Sequence, residues 1–182
     1  MGTAPAWTRS TWTDARQLAK LADTDGDHAQ AVGQAPHAWF AQMVDAGQLQ
    51  QAVGFIAHAL PRYDCIAWAV RALIETNLVE RHDPLILGVL RWMDDPGDNS
   101  RRAAGQLADE TDSDSPQKLL AQAVFLSGGS LVSEDLPAIQ PQGDLCAKLV
   151  SAALLVAAFD RDDPETLLHT ILKLGETIAR GE

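Results

Sequence analysis

Four prolines, Pro36, Pro84, Pro116 and Pro164, each head a stretch in which apolar residues return every three or four positions. Proline fits the first turn of an α-helix, where its fixed φ suits the helix and its missing N–H is not needed, but it breaks a helix anywhere further in. These residues therefore mark helix starts. Asp83 and Ser115 precede two of them, and their side chains suit the free N–H groups of a first turn.

Between these marks the apolar spacing is helical. Thr13 and Asp14 cap a segment through Ala15, Leu18 and Ala22. Trp39, Phe40, Met43 and Val44 form a face that stops at Gly47. Leu49, Val53, Ile56 and Leu60 follow at spacings of four, three and four, and Pro61 closes that segment. The run Cys65 to Val70 is continuously apolar and its segment reaches Asn77, which places this helix at the centre. Ile86, Val89, Leu90 and Met93 face inward before Pro96 and Gly97. Asp98 or Asn99 then caps a segment carrying Arg101, Ala104, Leu107 and Ala108. Leu119, Leu120, Val124 and Phe125 mark the next helix, the apolar text Leu145 to Phe159 another, and a stripe of Leu167, Ile171, Leu174 and Ile178 ends at Gly181. No sustained strand alternation interrupts the series. The expectation is one all-α domain over residues 1–182, with 1–12 a flexible N-terminal segment. About eight or nine helices in successive hairpins form an irregular layered array or a short solenoid.

The 182 residues are 46% hydrophobic and 21% charged, which supplies a core and excludes disorder of the whole chain. With 14 Lys and Arg against 25 Asp and Glu, the net charge is −11. That balance opposes the phosphate neutralisation nucleic-acid binding requires, and it suits a basic protein partner. The uncharged stretch Leu119 to Ser133 is shorter than the ~18 residues of a membrane helix and is interrupted at Ser127, Gly128, Gly129 and Ser130, so membrane insertion is not expected. Met1 to Lys20 has no basic patch followed by an apolar core, and the cytoplasm is the expected compartment. Cys65 and Cys146 lie in apolar helical text, as small buried hydrophobes rather than a disulfide.

Asp23, Asp25 and Asp27 in DTDGDH open like a calcium loop. The turn glycine then falls on His28 and the last glutamate on Gln34, which leaves a solvated turn. His28, His37, His58, His82 and His169 lack the paired spacing of a zinc helix. His58 and Cys65 are separated by Pro61, and a thiol–imidazole pair there would have to be assembled by the tertiary fold. The pairs Asp94 and Asp95, Asp109 and Glu110, and Asp162 and Asp163 sit at helix ends in polar text, where solvation is expected. SGGS at Ser127 to Ser130 lacks the spacing of a phosphate loop and reads as a helix terminator. No catalytic, cofactor-binding or metal-binding residue is assigned.

Residues 128 to 143, GGSLVSEDLPAIQPQG, make a connection long for a compact helical domain. Leu131, Val132, Leu136 and Ile139 are large aliphatic side chains in text otherwise rich in Gly, Pro and acidic groups, and Pro137 and Pro141 restrict the free loop. Leu131, Val132, Leu136, Pro137 and Ile139 are candidate partner contacts, the alternative being a connection whose aliphatic side chains pack on the protein's own helices. Trp68, one of five tryptophans, packs in the core or anchors a partner at a groove. Arg62 pairs with a carboxylate or binds the terminal carbonyls of the preceding helix, and joins the candidate surface.

Three stretches, AVGFIAHALPRYDCIAWAVRAL, LRWMDDPGDNSRRAA and AVFLSGGSLVSEDLPAIQP, resemble in order the signature of an uncharacterised bacterial protein family. In that signature an LPR turn precedes an aromatic-rich helix and an SGGSL element opens a proline-rich loop. The resemblance spans residues 36 to 160, and this chain has Ala67 beside Trp68 where the family carries a bulkier residue. The family is associated with gene neighbourhoods of type VI secretion. The resemblance thus implies a cytoplasmic accessory, adaptor or chaperone-like protein that binds a spike or effector protein, and it implies no catalytic residues. Two other classes stand beside it: an enzyme centred on His58 and Cys65, and an immunity protein whose acidic surface masks a basic toxin.

Overall fold

Side-chain caps mark where four of the helices begin. The computed structural model describes residues 6–22, 28–133 and 135–182. Among the described residues are no strands and nine α-helices: α1 (Ala15–Leu21), α2 (Pro36–Asp45), α3 (Leu49–Ala59), α4 (Arg62–Glu75), α5 (Pro84–Asp94), α6 (Asp98–Asp109), α7 (Pro116–Phe125), α8 (Leu145–Phe159) and α9 (Pro164–Arg180). Asp14 accepts from the Arg16 N–H at 2.9 Å, Asp83 from Leu85 at 2.8 Å, Ser115 from Lys118 at 3.2 Å and Asp163 from Thr166 at 3.1 Å. Each such cap removes an unpaired donor from a first turn and contributes about 1 kcal/mol.

The start of α6 departs from the expected cap. Gly97 is its N-cap, and Ser100 Oγ accepts from the Gly97 N–H at 3.2 Å. Asp98 and Asn99 lie inside the first turn, and the Asp98 carboxylate turns toward Arg101 and Arg102. Asp23, Asp25 and Asp27 lie outside the described residues.

Of the two arrangements expected, the irregular array is the one observed. Units of a solenoid touch only their neighbours. Here α3 packs on α8 and α9, and α4 packs on α7, α8 and α9, contacts that span the chain. The reason lies in α8, which buries Cys146, Val150, Leu154 and Ala158 and is apolar on most sides. Such a helix needs cover on most of its sides, and α3, α4, α7 and α9 supply it, leaving Val156 and Phe159 exposed. No helix among the described residues is long and apolar enough to cross a membrane.

Helix α4 occupies the interior, as its unbroken apolar run predicts. Trp68 is fully buried, and its indole N–H donates to the Ile171 carbonyl of α9 at 2.8 Å. Gly175 faces the ring, where a Cβ would stand 2.8 Å from Trp68 Cε2. The partner-anchor alternative for Trp68 therefore fails, because a side chain with 0% exposure has no surface to offer.

The expected flexible segment over residues 1–12 also needs correction where it is described. Trp7 is buried, its ring 5.2 Å from Phe40 and 6.4 Å from Phe55. The Arg9 N–H donates to the Ala179 carbonyl at 3.0 Å, which ties this stretch to the end of α9. Burial of an indole is a large enough gain to order a short extended segment. Residues 1–5 lie outside the described residues.

Alanine in place of a helix-interior glycine ordinarily stabilises by up to about 1 kcal/mol. At Gly175 the added methyl meets the indole instead, so Gly175→Ala is expected to destabilise by about 1–3 kcal/mol in urea unfolding. In the double variant with Trp68→Phe, the smaller ring leaves room for the methyl, and the combined loss is less than the sum of the single losses. A higher unfolding midpoint for Gly175→Ala would contradict the close approach.

Candidate functional site

A helix C-terminus leaves carbonyl oxygens without partners, and at the end of α7 arginines from two other helices supply donors. Arg101 of α6 is 4% exposed. Its guanidinium donates to the Phe125 carbonyl at 2.5 Å and the Ser130 carbonyl at 2.9 Å, places two N–H groups on Asp98 Oδ1, and lies 5.0 Å from the Phe125 ring centroid. Arg102 donates to Asp98 Oδ2 at 2.6 Å and to the carbonyls of Ser130 and Val132 at 3.2 and 2.9 Å. Arg62, in the first turn of α4, donates to the Ser127 carbonyl at 2.8 Å. Hydrogen bonds from Arg102 and Arg101 hold the Asp98 carboxyl below its ordinary pKa. Asp98 is open to water, so the cluster matters through its geometry more than through Coulomb attraction. A planar fork of donors makes this possible, and lysine has none.

Gly129 completes the base. Its φ is +67°, and a Cβ there would stand 2.9 Å from Arg101 Nε and Nη2, so both the backbone conformation and the space require glycine. Ser130 Oγ accepts from the N–H groups of Val132 and Ile139 at 3.2 and 3.3 Å, and the Leu131 N–H donates to the Ile139 carbonyl at 2.8 Å. The two limbs of the 128–143 connection thus close on each other as a compact surface loop. The candidate contacts divide accordingly. Leu131 and Val132 are half-buried at the base, whereas Leu136 and Ile139 are 53% and 55% exposed, with exposed Pro137 between them.

Arg62 takes neither role expected of it. It reaches past the end of α3 to a carbonyl 65 residues further along the chain. Arg101 and Arg102 are absent from the sequence-based candidates, although Arg101 shares an apolar stripe with Ala104 and Ala108, all three buried. A guanidinium on such a stripe must bring buried partners with it, and that is the signal that could have singled it out.

Arg62 also borders a cleft of about 580 Å³ between the end of α3, the starts of α4 and α8, and the segment from Arg9 to Trp12. The cleft gathers His58, Cys65 and Cys146, so the fold brings to one cavity the imidazole and thiol that Pro61 separates in sequence. His58 Nδ1 donates to the Gly54 carbonyl at 2.7 Å, which leaves Nε2 as the unprotonated nitrogen, buried and without a hydrogen-bond partner. Burial lowers the His58 pKa, raises that of Cys65 well above the ordinary thiol value, and pushes Cys146 up to about 12. At neutral pH all three groups are uncharged, and neither thiol has the thiolate character that nucleophilic attack needs. Among the described residues no three His, Cys, Asp or Glu side chains come together as a metal site.

The LPR, DNSRR and SGGSL elements, distant in sequence, meet at the base of the loop through Arg62, through Asp98, Arg101 and Arg102, and through Ser127 to Ser130. A protein-family model described as a family of unknown function (DUF6931) matches residues 39–179, a span that includes all of these residues and the whole loop. No curated protein and no solved structure matches the chain.

Arg101→Lys keeps the charge and loses the fork. It is expected to lower stability by about 2–3 kcal/mol and to remove hydrogen-exchange protection at the Leu131 and Ile139 amides, while helicity stays near that of the unaltered protein. Protection unchanged at these amides would contradict the latch. In maleimide labelling at neutral pH, Cys65 and Cys146 are expected to react only after the protein is unfolded. Rapid labelling of Cys65 in the folded protein would instead restore the thiol–imidazole reading.

Proposed function

We propose that this chain, which belongs to that family of unknown function, is a non-enzymatic accessory protein, of adaptor or chaperone-like kind, that grips a protein partner through the 128–143 loop. The observation that carries the reading is an exposed aliphatic tip on a fixed base. Leu136 and Ile139 are more than half exposed, while arginine and serine hydrogen bonds hold the backbone beneath them. Interface energy concentrates in a few apolar anchors, and a loop already ordered before binding loses less entropy on docking.

The charge indicates what the partner looks like. The chain carries −11, Asp135 adjoins Leu136 at the tip, and Arg101 and Arg102 beneath it are engaged with main-chain carbonyls and Asp98. The complementary surface is an apolar hollow with a basic rim. The resemblance to a family found beside type VI secretion genes supplies the setting, a spike or effector protein met in the bacterial cytoplasm. The uncharged thiols and imidazole of the cleft support the same choice over the enzyme reading.

The test is the double variant Leu136→Ser with Ile139→Ser, captured as a tagged protein from its native cell beside the unaltered chain and followed by mass spectrometry and a binding assay with the purified captured protein. Because both side chains face water, unfolding stability is expected to stay within about 0.5 kcal/mol while the association is lost. Equal capture by both proteins would overturn the reading. A lowered melt would do so as well, by making the pair part of the protein's own core.

A further inference from the structure

The cleft beside Arg62 keeps its charges at the rim and none in its depth. Cys65 and Cys146 are each 1% exposed, and these thiols together with the His58 imidazole carry no charge at neutral pH. Ala57, Leu60, Trp12 and Ala147 make the remaining inner wall apolar. The rim is different. Arg9, with 59% of its side chain exposed, and Arg62 both border the opening. The carboxylates nearby are partly neutralised: Asp64 lies 3.8 Å from Arg9, and Asp144 is held by Lys148 at 2.8 Å. Arg9, Arg62 and Lys148 against Asp64 and Asp144 leave one net positive charge, in a chain whose total is −11. Helices α4 and α8 both begin at this rim with no side-chain cap hydrogen bond, so their partial positive ends add to the same sign.

We infer that this cleft is a binding site for a small amphipathic carboxylate, an aliphatic chain with one anionic head, the head lying at Arg9 and Arg62 and the chain running inward along Trp12, Leu60 and Ala147. The volume of about 580 Å³ lies within the range of small-molecule sites. A guanidinium binds a carboxylate through paired, charge-assisted hydrogen bonds, and the apolar wall takes the chain out of water. A polyphosphate fails on the same grounds, because its several charges would meet alanine, leucine and uncharged thiols, with Arg9 and Arg62 only at the rim. The site is distinct from the loop tip proposed to grip a partner: among the described residues of the loop only its last, Gly143, lines the cleft, and Arg62 is the side chain shared with the loop base.

Octanoate is the probe, titrated into the full chain by calorimetry, with tryptophan fluorescence compared between the unaltered protein and Trp12→Phe as a second readout and 1-octanol as the uncharged control. One octanoate per chain is expected to bind saturably, with 1-octanol at least about tenfold weaker. Arg9→Gln and Arg62→Gln are each expected to weaken octanoate binding by about five- to tenfold, while the Leu136→Ser and Ile139→Ser double variant binds it as the unaltered protein does. Arg9 has no part in the loop latch, so its variant separates a lost head group contact from a disturbed loop. Absence of saturable binding, 1-octanol binding as tightly as octanoate, or arginine variants that bind normally would each overturn the inference. Loss of octanoate binding in the loop double variant would overturn it too, by moving the probe from the cleft to the tip.

Discussion

The indole N–H of Trp68 and its acceptor, the Ile171 carbonyl, set the position of α4 along α9. A buried indole needs an acceptor, and a helix can offer a main-chain oxygen sideways only where no side chain stands in the way. Gly175 provides that opening. With α4 fixed lengthwise, its first turn carries Arg62 to the Ser127 carbonyl and Cys65 to the cleft. The far end of α9 holds the Arg9 main chain through Ala179, so the two rim cations of the cleft descend from one helix pairing.

The second organising fact is that arginine does for the loop what a β-ladder or a helix does elsewhere. Main-chain oxygens in irregular structure need partners or water. At the base of this loop, guanidinium groups give them donors from outside, with Asp98 as the shared counter-charge that keeps two cations side by side. A nearly buried Arg101 is tolerable because its N–H groups are engaged and its face rests near Phe125. Here the pair gives definition to a segment that has no regular structure of its own.

Most of what depends on neighbours in the chain was legible, the Gly97 cap of α6 being the exception. Pro84 after Asp83, Pro116 after Ser115 and the three-and-four spacing of Leu49 to Leu60 act within one turn, and the helices begin where they direct. The closure of the array was half legible, since the all-round apolarity of α8 announces several partners without naming them. What could not be read was pairing across distance. Nothing near Arg62 indicates Ser127, and Asp98 has the composition of a cap although its carboxylate serves two arginines. The aliphatic residues of the loop have no period, so sequence offered no means to separate half-buried Leu131 and Val132 from exposed Leu136 and Ile139.

The latch recognises atoms that every residue type possesses. Arg101 and Arg102 hold the carbonyl oxygens of Phe125, Ser130 and Val132, and Arg62 holds that of Ser127. Apart from Gly129, the Ser130 hydroxyl and the half-buried Leu131 and Val132, the base of the loop is indifferent to what the tip spells. The stretch from residue 135 to 138 is therefore a cassette, whose letters can be exchanged without renegotiating the helices that carry it. A scaffold built this way holds a loop by its main chain and leaves the side chains at its tip free to differ while the architecture stays put.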